Sequence, residues 1–173
     1  MKKLVSAVLF CLAAQAAAAL EVTGVTPAGI KGASKGDFSF GLLTVKSVAW
    51  DRGAVVMPLT ESGDRSYANI KLLSRGIYAR LEACFKNGCA KPAKAPARPV
   101  LKVEALKPLK STARVANAEL SFDGELLVVA GVMASRKEEG AFWVAFPPDL
   151  VFTDPAFKSA VESAVIAAWT KKK

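Results

Sequence analysis

The chain has 173 residues, of which 52% are hydrophobic, and a net charge of +9. This length allows one domain or two very small ones. The sequence contains no histidine, which excludes Ser-His and Cys-His nucleophilic mechanisms and histidine-bound metals. It also contains no glycine loop of the P-loop or dinucleotide-binding type. We therefore predict a non-enzymatic protein without a metal or another cofactor.

The first 19 residues have the three regions of a secretory signal peptide. Lys2 and Lys3 precede a short apolar segment that ends in small residues at Ala17-Ala18-Ala19. This pattern predicts cleavage before Leu20 and export to the periplasm or the extracellular space. The alternative is an uncleaved N-terminus that anchors the chain in the membrane. After cleavage, no remaining segment is predicted to cross a membrane.

Residues 20–89 are predicted to form a first unit of about three antiparallel strands and a helix. The residues Asp51-Arg52-Gly53 predict a hairpin, and Pro58 is predicted to end the last strand because proline lacks a backbone donor. Apolar residues at helical spacing follow. The predicted buried stripe of this helix consists of Ile70, Leu73, Ile77, Leu81, Cys84 and Phe85.

Cys84 and Cys89 are the two cysteines of the predicted mature chain. They flank Asn87-Gly88, which is typical of a helix end. In an oxidising compartment a pair this close is predicted to form a disulfide that staples the end of the helix. Two free thiols in a reducing compartment are the alternative. Two cysteines without histidine do not complete a usual zinc site.

Residues 90–100 are predicted to form a linker. The alternation of lysine, alanine and proline favours an extended, semi-rigid chain over a packed core. Its cations are Lys91, Lys94 and Arg98. A basic linker can hold an anionic polymer by charge, and a solvated spacer is the alternative.

Residues 101–173 are predicted to form a second unit of the same kind. Pro147-Pro148 is predicted to end its last strand after Phe146, and Asp154-Pro155 is predicted to begin its helix. The adjacent Phe142 and Trp143 are predicted to point to opposite faces of a strand, with one of them in the core. The predicted buried face of the helix consists of Phe157, Val161, Ala164, Val165, Ala168 and Trp169.

The two predicted units repeat the same features in the same order. Val22 and Val103 open the units, and Pro27 and Pro108 follow at the same distance. An apolar strand, a polar turn and a strand ending at proline then come in both. Such similarity indicates one supersecondary unit used twice. The sequence therefore predicts an α+β fold of two similar units, each a small antiparallel sheet of about three strands with a C-terminal helix.

The segment from Ser121 to Pro147 resembles the central region of the stage V sporulation protein G family, also called septation protein SpoVG. In that family an aspartate precedes a strand, and a later apolar strand ends in Met-Pro or a close variant. The first unit has Met57-Pro58 at this strand end. A loop at residues 61–64 and the turn Ser74-Arg75-Gly76 before the last helix complete the similarity.

The resemblance implies a bacterial nucleic-acid-binding regulator linked to sporulation and septum formation. Members of the family are single units that dimerise through their sheets, so two fused units imply an internal pseudo-dimer. We therefore predict an exported protein that binds nucleic acid or an anionic envelope polymer. The alternative is an envelope structural or adaptor protein that acts through protein–protein contacts. The predicted polyanion-binding residues are Arg65, Lys71, Arg75, Arg80, Lys91, Lys94 and Arg98.

Overall fold

The computed structural model describes residues 19–90 and 98–172. The protein has an α+β fold, as the sequence predicts, and in the described residues a series of antiparallel strands precedes each of two helices. Most of the predicted signal peptide, as well as Lys91 and Lys94 of the predicted linker, lies outside the described residues. In the described residues no helix is long and apolar enough to span a membrane.

The first half of the chain contains seven strands and one helix. In chain order they are β1 (Gly24–Thr26), β2 (Lys35–Phe40), β3 (Leu43–Asp51), β4 (Ala54–Val56), β5 (Thr60–Ser62), β6 (Arg65–Tyr67), β7 (Ile70–Leu72) and α1 (Arg75–Asn87). The second half contains β8 (Leu101–Pro108), β9 (Arg114–Phe122), β10 (Leu126–Ala134), β11 (Phe142–Ala145), β12 (Leu150–Phe152) and α2 (Pro155–Lys172).

Each of the two large sheets contains one strand from the other half of the chain. The first sheet has the order β1-β2-β3-β12, and β4 also pairs with β3. The second sheet has the order β8-β9-β10-β7, and β11 also pairs with β10. Val151 of β12 lies opposite Thr44, and Lys71 of β7 lies opposite Leu127. The two halves therefore exchange their last strands reciprocally.

The prediction of about three strands per unit is too low, because each large sheet has five strands. The missed strands are short. The exchanged strands β7 and β12 have three residues each. A three-residue strand is too short for an alternating pattern to be recognised in the sequence. The hairpin β5–β6 forms a separate two-stranded ribbon.

Each helix follows an exchanged strand but packs on the sheet of its own half. The ring of Phe85 in α1 lies 5.3 Å from that of Phe38 and 5.7 Å from that of Trp50 in the first sheet. Phe157 in α2 contacts Phe122 in the second sheet, with ring centroids 6.2 Å apart. The buried residues of both halves form one continuous core. The halves therefore share sheets and a core.

The first helix begins later than the sequence predicts. Ser74 caps it by accepting a hydrogen bond from the Ile77 amide at 3.2 Å. Ile70 is buried in strand β7 and Leu73 is exposed, so neither belongs to the helix stripe. The remaining predicted stripe residues are buried as expected, and they are Ile77, Leu81, Cys84 and Phe85.

The second helix agrees with the prediction. The Asp154 carboxylate accepts a hydrogen bond from the Ala156 amide at 2.9 Å, and the helix begins at Pro155. The buried residues of its predicted apolar face are Phe157, Val161, Val165 and Trp169. These side chains lie one helical turn apart, so a single stripe covers the sheet.

The predicted hairpin is present between β3 and β4. Asp51 pairs with Ala54, and both Arg52 and Gly53 have positive φ angles, as a tight two-residue hairpin turn requires. The prediction that both strands end before a proline is also confirmed. Strand β4 ends at Val56, before Pro58, and β11 ends at Ala145, one residue earlier than predicted.

A disulfide joins Cys84 and Cys89. Cys84 lies in the last turns of α1, and Gly88, with φ +94°, ends the helix between the two cysteines. The Gly88 amide also donates a hydrogen bond to the Cys84 carbonyl at 3.0 Å. The disulfide therefore staples the C-terminal end of α1, as the sequence predicts.

We expect the two halves to stay bound to each other after the chain is cut between Ala90 and Arg98. The reason is that β7 and β12 each pair with a sheet of the opposite half, and both halves share one core. The measurement is size-exclusion chromatography and far-UV circular dichroism after cleavage at a protease site placed there.

As the matched control, each half is produced alone and then mixed with the other. We expect each half alone to lack native structure, because its sheet lacks one strand, and we expect the mixture to recover it. Separation of the cut halves on the column without denaturant would contradict the strand exchange.

Candidate binding surface

The predicted cationic residues do not come from one element of the fold. Arg65 lies in β6, Lys71 in β7, and Arg75 and Arg80 in α1, while Arg98 precedes β8. Arg75 and Arg80 are five residues apart on a helix, so they point in different directions. The structure therefore distributes the described members of the set over four segments.

Two of these cations already have partners within the protein. The Arg80 guanidinium forms an ion pair with the Glu125 carboxylate, and both side chains are largely buried. The Arg98 guanidinium lies over the ring of Phe157, 4.9 Å from its centroid. A cation held by a carboxylate or by an aromatic ring is less available to an outside phosphate.

Glu125 joins the second half of the chain to the N-terminal end of α1. Its Oε1 accepts a hydrogen bond from the Ser74 hydroxyl at 2.7 Å. Its Oε2 accepts one from the Leu20 backbone nitrogen at 2.7 Å and one from Arg80. Its backbone carbonyl accepts a hydrogen bond from the Leu73 amide at 2.7 Å. We call this group of residues the Glu125 junction.

The Glu125 junction fills the position where α1 could have bound an external anion. A helix N-terminus favours negative charge because its first N–H groups are unpaired within the helix. Here the Ser74 cap and the Glu125 carboxylate occupy that end. A Cβ atom on Gly76 would lie 3.2 Å from the Glu125 Oε1, so glycine leaves room for the carboxylate.

Sequence reasoning missed Glu125. Its position directly after Asp123-Gly124 marks it only as a residue of a turn, where most carboxylates are solvated. Its partners lie 45 to 105 residues away in the chain. The local signal that bears on this site is the Ser74-Arg75-Gly76 motif, which indicates the helix start but not the residue that contacts it.

The remaining described cations of the predicted set are exposed. The side chains of Arg65, Lys71 and Arg75 make no hydrogen bond or ion pair with any residue in the ranges 19–90 and 98–172. Lys71 lies in the second sheet, whereas Arg65 lies in the separate β5–β6 ribbon. These three are the cations of the set that could meet an external ligand.

The second sheet has one face in the core and one face turned away from it, which we call the outer face. The core face contains the buried alternating residues of β9 and β10, which α2 covers. The register places the intervening residues together on the outer face. They are Lys71, Lys102, Ala105, Lys107, Arg114, Asn117, Glu119, Ser121, Leu127, Val129, Gly131, Met133, Trp143 and Ala145.

Trp143 is the most prominent apolar side chain of the outer face. Its neighbour Phe142 packs inward against Trp169, with ring centroids 6.3 Å apart, whereas Trp143 is 52% exposed and lies opposite Met133. This arrangement confirms the prediction that the two aromatic residues point to opposite faces and that one is in the core. Sequence reasoning did not determine which one would be exposed.

A shallow groove lies on either side of Trp143, and each has a volume of about 450 Å³. The first groove is bordered by Met133, Arg136 and Lys137. The second is bordered by Pro147, Phe152 and Lys158. An exposed indole between two grooves offers a large apolar contact with a hydrogen-bond donor at its edge.

Some charges of the outer face are paired within the protein. Lys107 forms an ion pair with Glu119, and the Lys102 ammonium lies 2.7 Å from the Glu104 carboxylate. Glu104 also accepts a hydrogen bond from Ser121 at 2.6 Å. The hydrogen bond from Lys102 is the main cause that lowers the pKa of Glu104, and the hydrogen bond from Ser121 is the next. These ion pairs lie on β8 and β9, away from Trp143 on β11. Arg114, Arg136 and Lys137 near Trp143 form no ion pair with a residue that the structure describes.

Comparisons with protein-family models, with curated proteins and with solved structures find no match to this chain.

We expect Asp123→Asn to raise the free energy of unfolding at pH 7. Burial raises the pKa of Asp123, and the nearby charge of Glu125 raises it further, although a hydrogen bond from the Val100 amide opposes this. A carboxyl whose folded pKa is raised destabilises the folded state when ionised. The asparagine Oδ1 can keep the hydrogen bond from Val100, which measures 2.8 Å.

The increase in the free energy of unfolding should disappear as the pH falls through the raised pKa of Asp123 towards the ordinary value of about 3.9. The aspartate is then protonated in both the folded and the unfolded state. Urea unfolding between pH 3 and pH 8 measures this dependence. Asp64→Asn in the exposed β5–β6 turn is the control for the general loss of one negative charge. An equal gain at every pH would contradict the electrostatic origin.

Proposed function

We propose that the protein is an exported, non-enzymatic binding protein that acts through protein–protein contacts on the outer face around Trp143. The observation that carries this proposal is the half-exposed indole between two grooves. Tryptophan is enriched among the residues that dominate binding energy at protein interfaces. Arg136 and Lys137 beside this apolar side chain also resemble the polar rim of such interfaces.

The proposed export has two supports. The first is the signal-peptide pattern of residues 1–19. The second is the Cys84–Cys89 disulfide, because disulfides persist in oxidising compartments such as the periplasm and the extracellular space. The two observations are independent, since one is a sequence pattern and the other depends on the end of helix α1.

We further propose that the two halves are duplicated SpoVG-like units that form an internal pseudo-dimer. Corresponding strands have the same positions in the two large sheets. The hydrogen bond from the Leu73 amide to the Glu125 carbonyl has its counterpart in the bond from the Thr153 amide to the Leu42 carbonyl. A helix begins directly after each of these positions, capped by Ser74 or Asp154.

The two proposed units have different outer faces. In the edge strand β4 the outward side chain is Val56, whereas β11 presents the much larger Trp143. Ser39 and Thr44 on the first sheet bond to each other through their hydroxyls at 2.9 Å. Of the two proposed units, the second therefore has the aromatic outer face, and we expect a partner to bind there.

Trp143→Ala should weaken binding of a partner by about 30-fold or more, the size expected for a residue that dominates an interface. To identify the partner, a photo-crosslinking amino acid is placed at position 143 in cells and the cross-linked product is analysed by mass spectrometry. The same probe at Leu59, an exposed residue between β4 and β5, is the matched control.

We expect a specific cross-linked protein from position 143 and none of the same size from position 59. Circular dichroism should show that Trp143→Ala retains the fold, because half of this side chain is exposed. A partner that cross-links equally from both positions, or that binds Trp143→Ala as tightly as the unchanged protein, would contradict the proposal.

Binding of nucleic acid or an anionic envelope polymer is the second candidate function. It is favoured by the exposed side chains of Arg65, Lys71 and Arg75, which have no partners among the described residues. Arginine and lysine at such positions can donate to phosphate oxygens. Arg98, Lys91 and Lys94 would add charge from the predicted linker.

If the protein binds a polyanion, replacing Arg65, Lys71 and Arg75 by alanine should weaken its binding to a labelled single-stranded nucleic acid. The negative slope of log K against log salt should also become shallower by about 0.7 for each lost phosphate contact. Fluorescence anisotropy across a range of salt concentrations measures both effects. No binding of the unchanged protein at low salt would rule out the nucleic-acid form of this candidate.

A further inference from the structure

The described chain enters the fold at Leu20. The Ala19 side chain is exposed, whereas only 2% of Leu20 is exposed. The Leu20 backbone nitrogen lies 2.7 Å from the Glu125 Oε2, within the Glu125 junction. The peptide bond between Ala19 and Leu20 is also where the sequence predicts cleavage.

We propose that the Ala19–Leu20 bond is a maturation site and that the new α-ammonium group of Leu20 becomes an ion-pair partner of Glu125. This inference rests on the export that forms part of the proposed function. It adds that processing completes the Glu125 junction. The junction would then hold its carboxylate between two cations, the Arg80 guanidinium and the chain terminus.

The reaction is the hydrolysis of one peptide bond by an endopeptidase of the signal-peptidase class. Water adds across the Ala19–Leu20 bond, so Ala19 leaves with a new carboxylate and Leu20 gains an amine, which takes up a proton at neutral pH. Because Leu20 is buried in the folded protein, cleavage precedes folding. The new ammonium then takes the position of the uncharged amide nitrogen against Glu125.

The surroundings of this nitrogen favour a positive charge. Glu125 accepts its hydrogen bond, and Arg80 binds the same carboxylate. Asp123 lies two residues before Glu125 in the same turn, and Glu21 follows Leu20 in the chain. Three carboxylates therefore outnumber the two cations, Arg80 and the Leu20 ammonium. Hydrogen bonds with charged donors are also stronger than neutral ones.

The test compares the chain that begins at Leu20 with a matched chain that begins at Ala19. The second chain keeps the same hydrogen-bond donor at Leu20 as an uncharged amide and moves the amine to an exposed residue. At pH 6 we expect the unfolding equilibrium constant of the Leu20 chain to be about tenfold lower. Urea unfolding measures this difference.

The difference should disappear as the pH rises towards 10. An α-amino group in an unfolded chain titrates at about pH 7.7–8.0, and pairing with a carboxylate raises its pKa in the folded state. The stabilisation is therefore complete below the unfolded value and is lost as the pH rises through the folded value. Acetylation of the Leu20 amine should remove this stabilisation at every pH, and so should Glu125→Gln.

Equal stability of the Leu20 and Ala19 chains at pH 6 would overturn the inference, as would a difference that persists in the acetylated chain. Mass spectrometry of the exported protein tests the site itself. We expect an N-terminus at Leu20, and an exported chain with another N-terminus would overturn the inference without affecting the proposed function. A chain that keeps Met1 in the cytoplasm would instead contradict the proposed export.

Discussion

The reciprocal exchange of β7 and β12 is the constraint on which the rest of the structure depends. Three-residue strands form few hydrogen bonds, so their pairing needs support from the elements around them. The helix after each exchanged strand provides this support, because it returns to its own sheet and buries an aromatic residue there. Neither half can complete its sheet or its core alone, so both should fold as one cooperative unit.

Each exchanged strand ends at a hydrogen bond to the backbone of the other half, and these two positions are alike in backbone geometry but differ in charge. Leu42 occupies one of them, where its carbonyl accepts a hydrogen bond from the Thr153 amide. Glu125 occupies the other, where its side chain also binds Ser74, Arg80 and the Leu20 nitrogen. A buried carboxylate is stable only when such donors surround it. This requirement explains the ion pair between Arg80 and Glu125.

The sequence predicted those features that depend on neighbouring residues. These include the Arg52-Gly53 hairpin, the proline stops, the buried stripe of α2 and the disulfide at the end of α1. It did not predict the exchanged strands, since a three-residue segment has no recognisable period. It also missed the Glu125 junction and could not tell which of Phe142 and Trp143 is exposed. Those features depend on contacts between residues that are distant in the chain.

The edges of the sheets bear on how a partner can bind. Strand β8 lies at one edge of the second sheet, where an unpaired backbone could add a strand from another protein. However, β8 carries a bulge between Val103 and Ala105, and the Lys172 ammonium donates a hydrogen bond to its Leu106 carbonyl at 2.6 Å. Both features disfavour the addition of a strand. Contact through side chains is therefore the better supported mode at this edge, and the opposite edge carries the exposed Trp143 on β11.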